Sequence, residues 1–324
     1  MLASDDTHST LSISQGQKQS FPYFLDEDYA VSNELTDEFL RILINENSTF
    51  VENLPAGCGS YLKSNIVQYI FTICIRLRIP DDVKYFAIDI LDTFMNTQGI
   101  ALWDAVAKLN RSNKAKYKIW AKIEATISRQ LTLRIVTAIQ IASKLHSFHD
   151  SLAQVDVRKC LQALGYPYTA EAILKSEIRM LKTLNFELNS RRNPAVYMIN
   201  FLKMLLRKRP ELGVHINGLY RYCIFWLDYS FINRDEVFNE ILTIVYGANI
   251  IKVTKDVLAR VQADYSLLAC GTIIASIVCL AGPQIGETYI KELSAITTVS
   301  EADISDASTG LVRALLRDRS RFEQ

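Results

Sequence analysis

The chain has 324 residues, of which 49% are hydrophobic and 22% are charged, a balance typical of a folded protein with room for about two domains. Its 36 Lys and Arg residues nearly balance its 35 Asp and Glu residues, and the net charge is +1. This charge balance does not indicate a protein that binds nucleic acids or acidic membranes. With only 12 Gly and 7 Pro and few alternating runs, the sequence predicts a mostly helical fold.

The first helices are predicted after a polar N-terminal segment. Residues 1–32 lack the basic start and apolar core of a signal peptide, and they are predicted to be a disordered tail. Apolar residues recur at helical spacing from Asn33 to Asn45 and from Tyr61 to Leu77. Pro80, followed by two aspartates, predicts the start of the next helix, because proline fits the first turn and acids suit the positive end of the helix dipole.

Residues 97–118 are a polar, lysine-rich insertion, and an unusually apolar helix follows them. No charge occurs from Ile135 to Ser143, and several residues there are small, including Ala142. A helix that is apolar nearly all round is predicted to be a buried hub with neighbours on every side. Lys144 closes this helix at the negative end of its dipole, where a cation is tolerated.

The last helix of the first half carries Glu177 and is capped by Thr169. A short polar linker, residues 190–193, then leads to a second half of similar style. The small-apolar sequence of the hub is repeated near Ser276, which indicates a faint internal repeat. The uncharged stretch 265–286 is interrupted by glycines and a proline, so it predicts a buried core helix rather than a membrane span.

Motifs of catalysis are missing from the sequence, which contains no phosphate-binding loop, nucleophile elbow or metalloprotease signature. His146, His149 and Asp150 have a spacing that suits a metal, but a solvated helix end explains them better. Cys58, between two glycines, is a candidate nucleophile without an assignable base, so a plain turn is the better interpretation. The six scattered cysteines predict free thiols. No enzyme activity, metal or cofactor is predicted.

Three segments, taken in order, resemble the cyclin box. VKYFAIDILDTFM is similar to its second helix, with Asp92 and Phe94 at the places of the family's Leu/Ile-Asp-Arg-Phe pattern. IQIASKL is similar to the third helix, with Lys144 at the position of the family's kinase-contacting lysine. ILKSEIRMLKTLNFELN is similar to the fifth, with Glu177 nine residues before Phe186.

The resemblance implies an all-α fold of two tandem five-helix cyclin-box repeats, with a helical insertion in the first. The first box would span residues 33–189, with the insertion at 97–118, and the second would span 190–324. Lys144 and Glu177 are implied to bind a cyclin-dependent kinase near its regulatory helix and activation loop. The implied structural residues of the box are Asp92, Phe94, Ala142 and Phe186.

The family's substrate-docking patch, Met-Arg-Ala-Ile-Leu…Trp, is only partly matched. The matching residues here are Leu62, Lys63, Ile66 and Tyr69. Lysine replaces the arginine, which changes the donor geometry, and Asn65 interrupts the apolar strip. Recruitment of substrates through the usual docking motif is therefore not expected.

The resemblance narrows to a branch of the family that acts in meiotic crossover maturation, because 52 positions separate Asp92 from Lys144, more than in cell-cycle cyclins. It implies a non-enzymatic regulator that binds cyclin-dependent kinase 2 and meiotic crossover proteins. It also implies location in the nucleus and on meiotic chromosomes, with the cytoplasm as the alternative.

Two other functions stay open: a conventional kinase-activating cyclin, and a cyclin-fold nucleic-acid binder. Basic runs are usually solvated faces, so direct nucleic-acid binding is not expected, nor is binding to a membrane.

Overall fold

The computed structural model describes residues 33–147, 151–188 and 192–322, and all regular structure in these ranges is helical, which confirms the all-α class. The predicted tail, 1–32, lies outside the described residues. Before residue 189 the helices are α1 Asn33–Glu52, α2 Ser64–Arg76, α3 Asp81–Ala107, α4 Asn113–Arg129, α5 Leu131–His146, α6 Gln154–Ala163 and α7 Ala170–Thr183. After it they are α8 Pro194–Lys208, α9 Ile216–Ile232, α10 Arg234–Tyr246, α11 Lys255–Ala263, α12 Tyr265–Ala281, α13 Pro283–Thr297 and α14 Glu301–Phe322. Two 3-10 turns, Pro210–His215 and Gly247–Lys252, join helices of the second half.

Two central helices organise the core. In α5 every residue from Thr132 to Ser143 is buried, which confirms the predicted hub, and α3 and α7 pack along it. In α12 the residues from Tyr265 to Ile277 are buried with one exception, and α8, α9, α13 and α14 surround them. The two centres are built alike, since both are short apolar helices rich in small residues that let neighbours approach closely. The division into boxes at 33–189 and 190–324 stays a prediction.

Several helix bounds differ from those that the sequence indicated. The predicted insertion, 97–118, falls on the end of α3 and the beginning of α4, because α3 continues through Gly99 to Ala107. Ser112 then caps α4 by accepting a hydrogen bond from the backbone N–H of Ala115. The insertion was predicted to be helical, and α4 is a helix, although none of its residues is buried. Helix α11, which is only nine residues long, was not predicted.

The apolar stretch at 265–286 forms the buried α12 and the first turn of α13. Over the described ranges, no single helix is long and apolar enough to cross a membrane. Helices α11 and α12 reach that length only together, and the chain bends by 66° between them.

A buried lysine joins the two halves of the fold. Lys84 on α3 is 4% exposed, and its Nζ lies 3.1 Å from Asp81 Oδ1 and 2.8 Å from a carboxylate oxygen of Asp228 on α9. The hydroxyl of Tyr85 donates to the same Asp228 at 2.7 Å. Two carboxylates and a neighbouring phenol thus compensate for the removal of this ammonium from water.

Replacing Lys84 by methionine is expected to destabilise the fold by about 2 kcal/mol, because Asp228 would keep its charge and lose the cation beside it. Urea unfolding followed by circular dichroism measures this change. Lys175→Met is the matched control, because Lys175 pairs with Glu171 on the solvent side of α7 and both side chains are exposed. Equal, small effects of the two substitutions would contradict the assigned role of Lys84.

Candidate partner-binding site

The C-terminal end of α5 brings Lys144 to the surface. The helix is buried through Ser143, and Lys144 and Leu145 in its last turn are exposed. The Ser143 hydroxyl accepts a hydrogen bond from the backbone N–H of Leu152 at 2.7 Å, which holds the chain after the helix close to its end. Lys144 therefore projects from a rigid support, next to the unpaired carbonyls of the helix terminus, where a cation is stabilised.

Helix α7 places Glu177 beside this lysine. Thr169 accepts a hydrogen bond from the N–H of Ala172 at 3.2 Å and so begins the helix, as predicted. Ile173 and Met180 are buried against α5, and a hydrogen bond of 2.9 Å between Thr137 and Ser176 fixes how the two helices cross. Glu177 lies at the border of this buried face, because it follows Ile173 by one turn of helix.

The structure brings the two predicted interface residues together. Lys144 Nζ donates to Glu177 Oε1 at 2.5 Å, and the lysine side chain is 40% exposed while that of the glutamate is 13% exposed. A lysine ammonium carries three N–H donors, of which Glu177 takes one, and the carboxylate keeps acceptor capacity on its second oxygen. The pair therefore presents donors and an acceptor at one place, fixed by two helices.

Exposed apolar side chains flank the pair. Leu174 and Ile178 are neighbours one turn apart on α7, on the face that also carries Glu177, and both are exposed. Leu145 follows Lys144 directly and is exposed as well. Large apolar groups around a partly desolvated charge pair are typical of the centre of a protein–protein interface. These three apolar residues were not predicted from the sequence. For Leu174 and Ile178 a signal was available, because they are spaced i, i+4 on a helix whose buried face is already formed by other residues such as Ile173.

A shallow cavity of about 190 Å³ lies next to Leu145, between the ends of α3, α5 and α8. Its apolar wall includes Val83, Phe86 and Val196. At its rim His146 Nδ1 lies 2.9 Å from a carboxylate oxygen of Asp82. The site thus continues from the ion pair to the start of α3, over a surface of mixed apolar and charged character.

Three of the predicted structural residues are buried. Phe94 and Ala142 belong to the core, and Asp92 accepts backbone N–H groups of Gly59 at 2.6 Å and Tyr61 at 2.9 Å. Burial raises the pKa of Asp92, and these two hydrogen bonds offset part of the rise. Asp92 therefore holds the loop that precedes α2.

Phe186, the fourth predicted structural residue, is outside the core, with 65% of its surface exposed. The chain leaves α7 through a left-handed turn, with φ of +52° at Asn185 and +59° at Phe186. The backbone N–H of Phe186 closes this turn by donating to the carbonyl of Leu181 at 2.8 Å. The reversal directs the ring outward, an orientation that the nine-residue spacing from Glu177 does not reveal.

The candidate docking patch is only partly accessible. Leu62 is buried, Ile66 and Tyr69 are half-buried against the core, and Lys63 is exposed. Leu62 is therefore a core residue and not a contact for a substrate. That substrates are not recruited here through the usual docking motif stays a prediction.

The other candidate sites do not have the features of reactive groups. Burial raises the pKa of Cys58 to about 11, so its thiol stays protonated at neutral pH and is not an activated nucleophile. His146 is paired with Asp82, while His149 and Asp150 lie outside the described residues. In the part of the chain that the structure describes, no three His, Cys, Asp or Glu residues are grouped as metal ligands. All six cysteines are free thiols.

The buried hub α5 and the helix α7 that packs on it together display one ion pair beside exposed apolar side chains. Residues 47–189 match the family described as "Cyclin, N-terminal domain". The chain is 26% identical to "Cyclin N-terminal domain-containing protein 1" of Homo sapiens over 286 residues, which are 87% of this chain and 84% of the human protein. The Mus musculus protein of the same name is 26% identical over 285 residues, with the same coverage.

The chain is thus similar to the cyclin N-terminal domain over residues 47–189 and is related to cyclin N-terminal domain-containing protein 1 over most of its length. Among solved structures it is similar to a viral cyclin from herpesvirus saimiri, with a TM-score of 0.49 and 13% identity over 84% of this chain and 97% of the viral chain. The cyclin family is regulatory rather than catalytic, and its fold serves protein–protein interaction.

Proposed function

We propose that this chain is a non-enzymatic cyclin-like regulator of meiotic recombination, which promotes crossover designation and maturation by binding a cyclin-dependent kinase and pro-crossover factors. The observation that carries the kinase part of the proposal is the Lys144–Glu177 pair within exposed apolar side chains. We take cyclin-dependent kinase 2 as the partner, and the nucleus and meiotic chromosomes as the location. The meiotic part rests on the likeness to the meiotic branch of the family and on the related proteins found for 87% of the chain.

The two side chains of the pair are oriented before a partner binds. Holding Lys144 against Glu177 costs side-chain entropy in the free protein, so a bound protein meets groups that are already oriented. The partner would complete the desolvation of the ammonium, which is still 40% exposed, and cover Leu174 and Ile178. Charges buried in this way at the centre of an interface contribute strongly to specificity, because a wrong charge opposite them is left unpaired.

The test is co-purification of the full chain with cyclin-dependent kinase 2, followed by titration of the two purified proteins. Lys144→Glu and Glu177→Lys are each expected to weaken binding by at least about 30-fold, the cost of one unpaired buried charge. Lys175→Glu is the matched control on α7, where both partners of the ion pair are exposed, and it is expected to leave binding unchanged.

A double variant, Lys144→Glu with Glu177→Lys, separates recognition from folding. It rebuilds an ion pair inside the chain, so its thermal stability is expected to approach that of the wild type, while the reversed charges still fail to bind the kinase. Recovery of kinase binding in this variant would contradict the proposal, since the pair would then serve only the fold. Absence of binding by the wild-type chain would contradict it as well.

A further inference from the structure

The end of α3 and the whole of α4 form an antiparallel hairpin, residues 97–129, in which α4 packs on α3 and α5. Aromatic rings close it: Trp103 lies 6.0 Å from Tyr117 and 5.3 Å from Trp120 between ring centroids. Lys116 Nζ also donates to the carbonyl of Ala107 at 2.5 Å, which ties α4 to the C-terminus of α3. The hairpin is therefore an ordered surface, although none of the residues of α4 is buried.

One face of α4 carries a row of positive charges. Lys114, Lys118 and Lys122 follow one another at i, i+4 and i+8, so they lie about 6 Å apart along the same side of the helix. All three are exposed, and they form no ion pair with any residue in the described ranges. The acid that could compensate them, Glu124, accepts a hydrogen bond from Trp120 Nε1 at 2.8 Å on another side of the helix. Like charges at this spacing destabilise a helix, so the fold itself gains nothing from the row.

A tyrosine ring lies beside the row. Tyr117 is 64% exposed and is one turn from Lys114, so its outer side is free to receive a flat partner. The isoleucines of α4, in contrast, are half-buried on the side that faces α3 and α5, and only small residues such as Ala121 and Ala125 accompany the lysines. An amphipathic partner helix needs an apolar stripe to bind, and this face does not offer one.

We propose that the lysine row and Tyr117 bind single-stranded nucleic acid, with phosphates along the lysines and an unpaired base stacked on the tyrosine. A backbone of regular negative charge with flat bases complements regular positive charge beside an exposed ring. Such binding was not expected from the sequence, because the net charge is +1 and basic runs are usually solvated faces. The helical structure of Asn113–Arg129 places these lysines on one face. This surface is separate from the Lys144–Glu177 site, so the inference does not depend on the proposed kinase.

The experiment measures binding of the full chain to a fluorescein-labelled 20-nucleotide oligothymidylate by anisotropy, at 50 to 200 mM NaCl. Neutralising three phosphates of a single strand gives a slope of about −2 in log affinity against log salt, which is a loss of roughly 20-fold over this range. Replacing Lys114, Lys118 and Lys122 by glutamine is expected to bring the slope close to zero. Tyr117→Ala is expected to weaken binding about fivefold or more, with little effect on a duplex of the same length.

The matched controls remove three positive charges and one exposed tyrosine ring outside the hairpin. Arg221, Lys255 and Lys291 are exposed and outside the hairpin, so their joint replacement by glutamine removes the same charge, and Tyr222→Ala removes an exposed tyrosine. These variants are expected to bind the oligonucleotide like the wild type. Thermal unfolding of each variant checks that the fold is retained, which is expected because the three lysines of the row make no contact that the core needs.

Three results would overturn the inference. The first is binding that the triple glutamine variant retains. The second is competition by polyglutamate as strong as by unlabelled oligothymidylate, which would make the row a site for acidic proteins. The third is duplex binding as tight as single-strand binding. The triple variant is expected to co-purify with the kinase like the wild type. A negative result for nucleic-acid binding therefore leaves the proposed kinase site unaffected, and a negative result for kinase binding leaves the nucleic-acid site unaffected.

Discussion

Replacing Gly310 by alanine is expected to destabilise the protein by about 3 kcal/mol, at the upper end of the cost of overpacking. Gly310 lies in α14 where this helix crosses α10. A Cβ at this position would collide with the side chain of Ile241 and would lie 3.0 Å from the backbone N and Cα of the same residue. A flexible side chain can move away, but a backbone can do so only if the two helices separate. Their separation would open the packing of the second half.

Gly218→Ala is the matched control for this substitution. Gly218 is also a helical glycine, in the first turn of α9, but a Cβ there has no atom within 4 Å. The added methyl reduces the entropy of the unfolded chain and is expected to stabilise the fold by about 0.5 kcal/mol. Chemical unfolding of both variants measures the contrast. A cost below about 1 kcal/mol for Gly310→Ala would show that α10 and α14 adjust more easily than close packing allows.

Replacing Asp92 by alanine is expected to cost about 3 kcal/mol, because the backbone N–H groups of Gly59 and Tyr61 would both lose their acceptor in a half-buried place. The effect is local in origin, since these bonds hold the loop before α2. It reaches the second half as well, because Arg234 of α10 packs on the same loop at Gly59. We therefore expect lower stability together with faster proteolysis at residues 55–61.

The isosteric change Asp92→Asn distinguishes the hydrogen bonds from the charge. The amide keeps one acceptor oxygen, so about half of the destabilisation is expected to remain. Asp256→Ala is the control for loss of an aspartate, because Asp256 is exposed and pairs with Arg260 one turn along α11, a bond worth about 0.3–0.5 kcal/mol. Urea unfolding measures all three variants. An effect of Asp92→Ala as small as that of Asp256→Ala would be inconsistent with the structural role of Asp92.

Much of the candidate site could be predicted because its signals are local. The uncharged stretch before Lys144 predicts a buried helix, and burial of Thr132–Ser143 confirms it. Lys144, the first charged residue after the uncharged stretch, lies at the exposed end of that helix. Thr169 likewise predicts the start of α7 and so the turn on which Glu177 lies. Local periodicity and capping thus determined which residues are helical and which side of each helix is apolar.

Other features required the tertiary structure. Lys144 and Glu177 are 33 residues apart, and their contact depends on how α5 and α7 cross, which Thr137 and Ser176 help to fix. Phe186 is exposed because the backbone reverses in a left-handed turn, a choice that its apolar character does not indicate.

The sequence by itself determined the all-helical class and the central helix α5, and its resemblance to the cyclin box singled out Lys144 and Glu177 as candidate interface residues. Only the tertiary structure decided that Leu62 belongs to the core, that the insertion folds back as a hairpin, and that Asp228 lies opposite Lys84. The physical reason is that periodicity reports the burial of a helix face but not the neighbour that buries it. Neighbours are chosen by packing between distant segments, and the free energy of that packing is shared by residues that no local pattern connects.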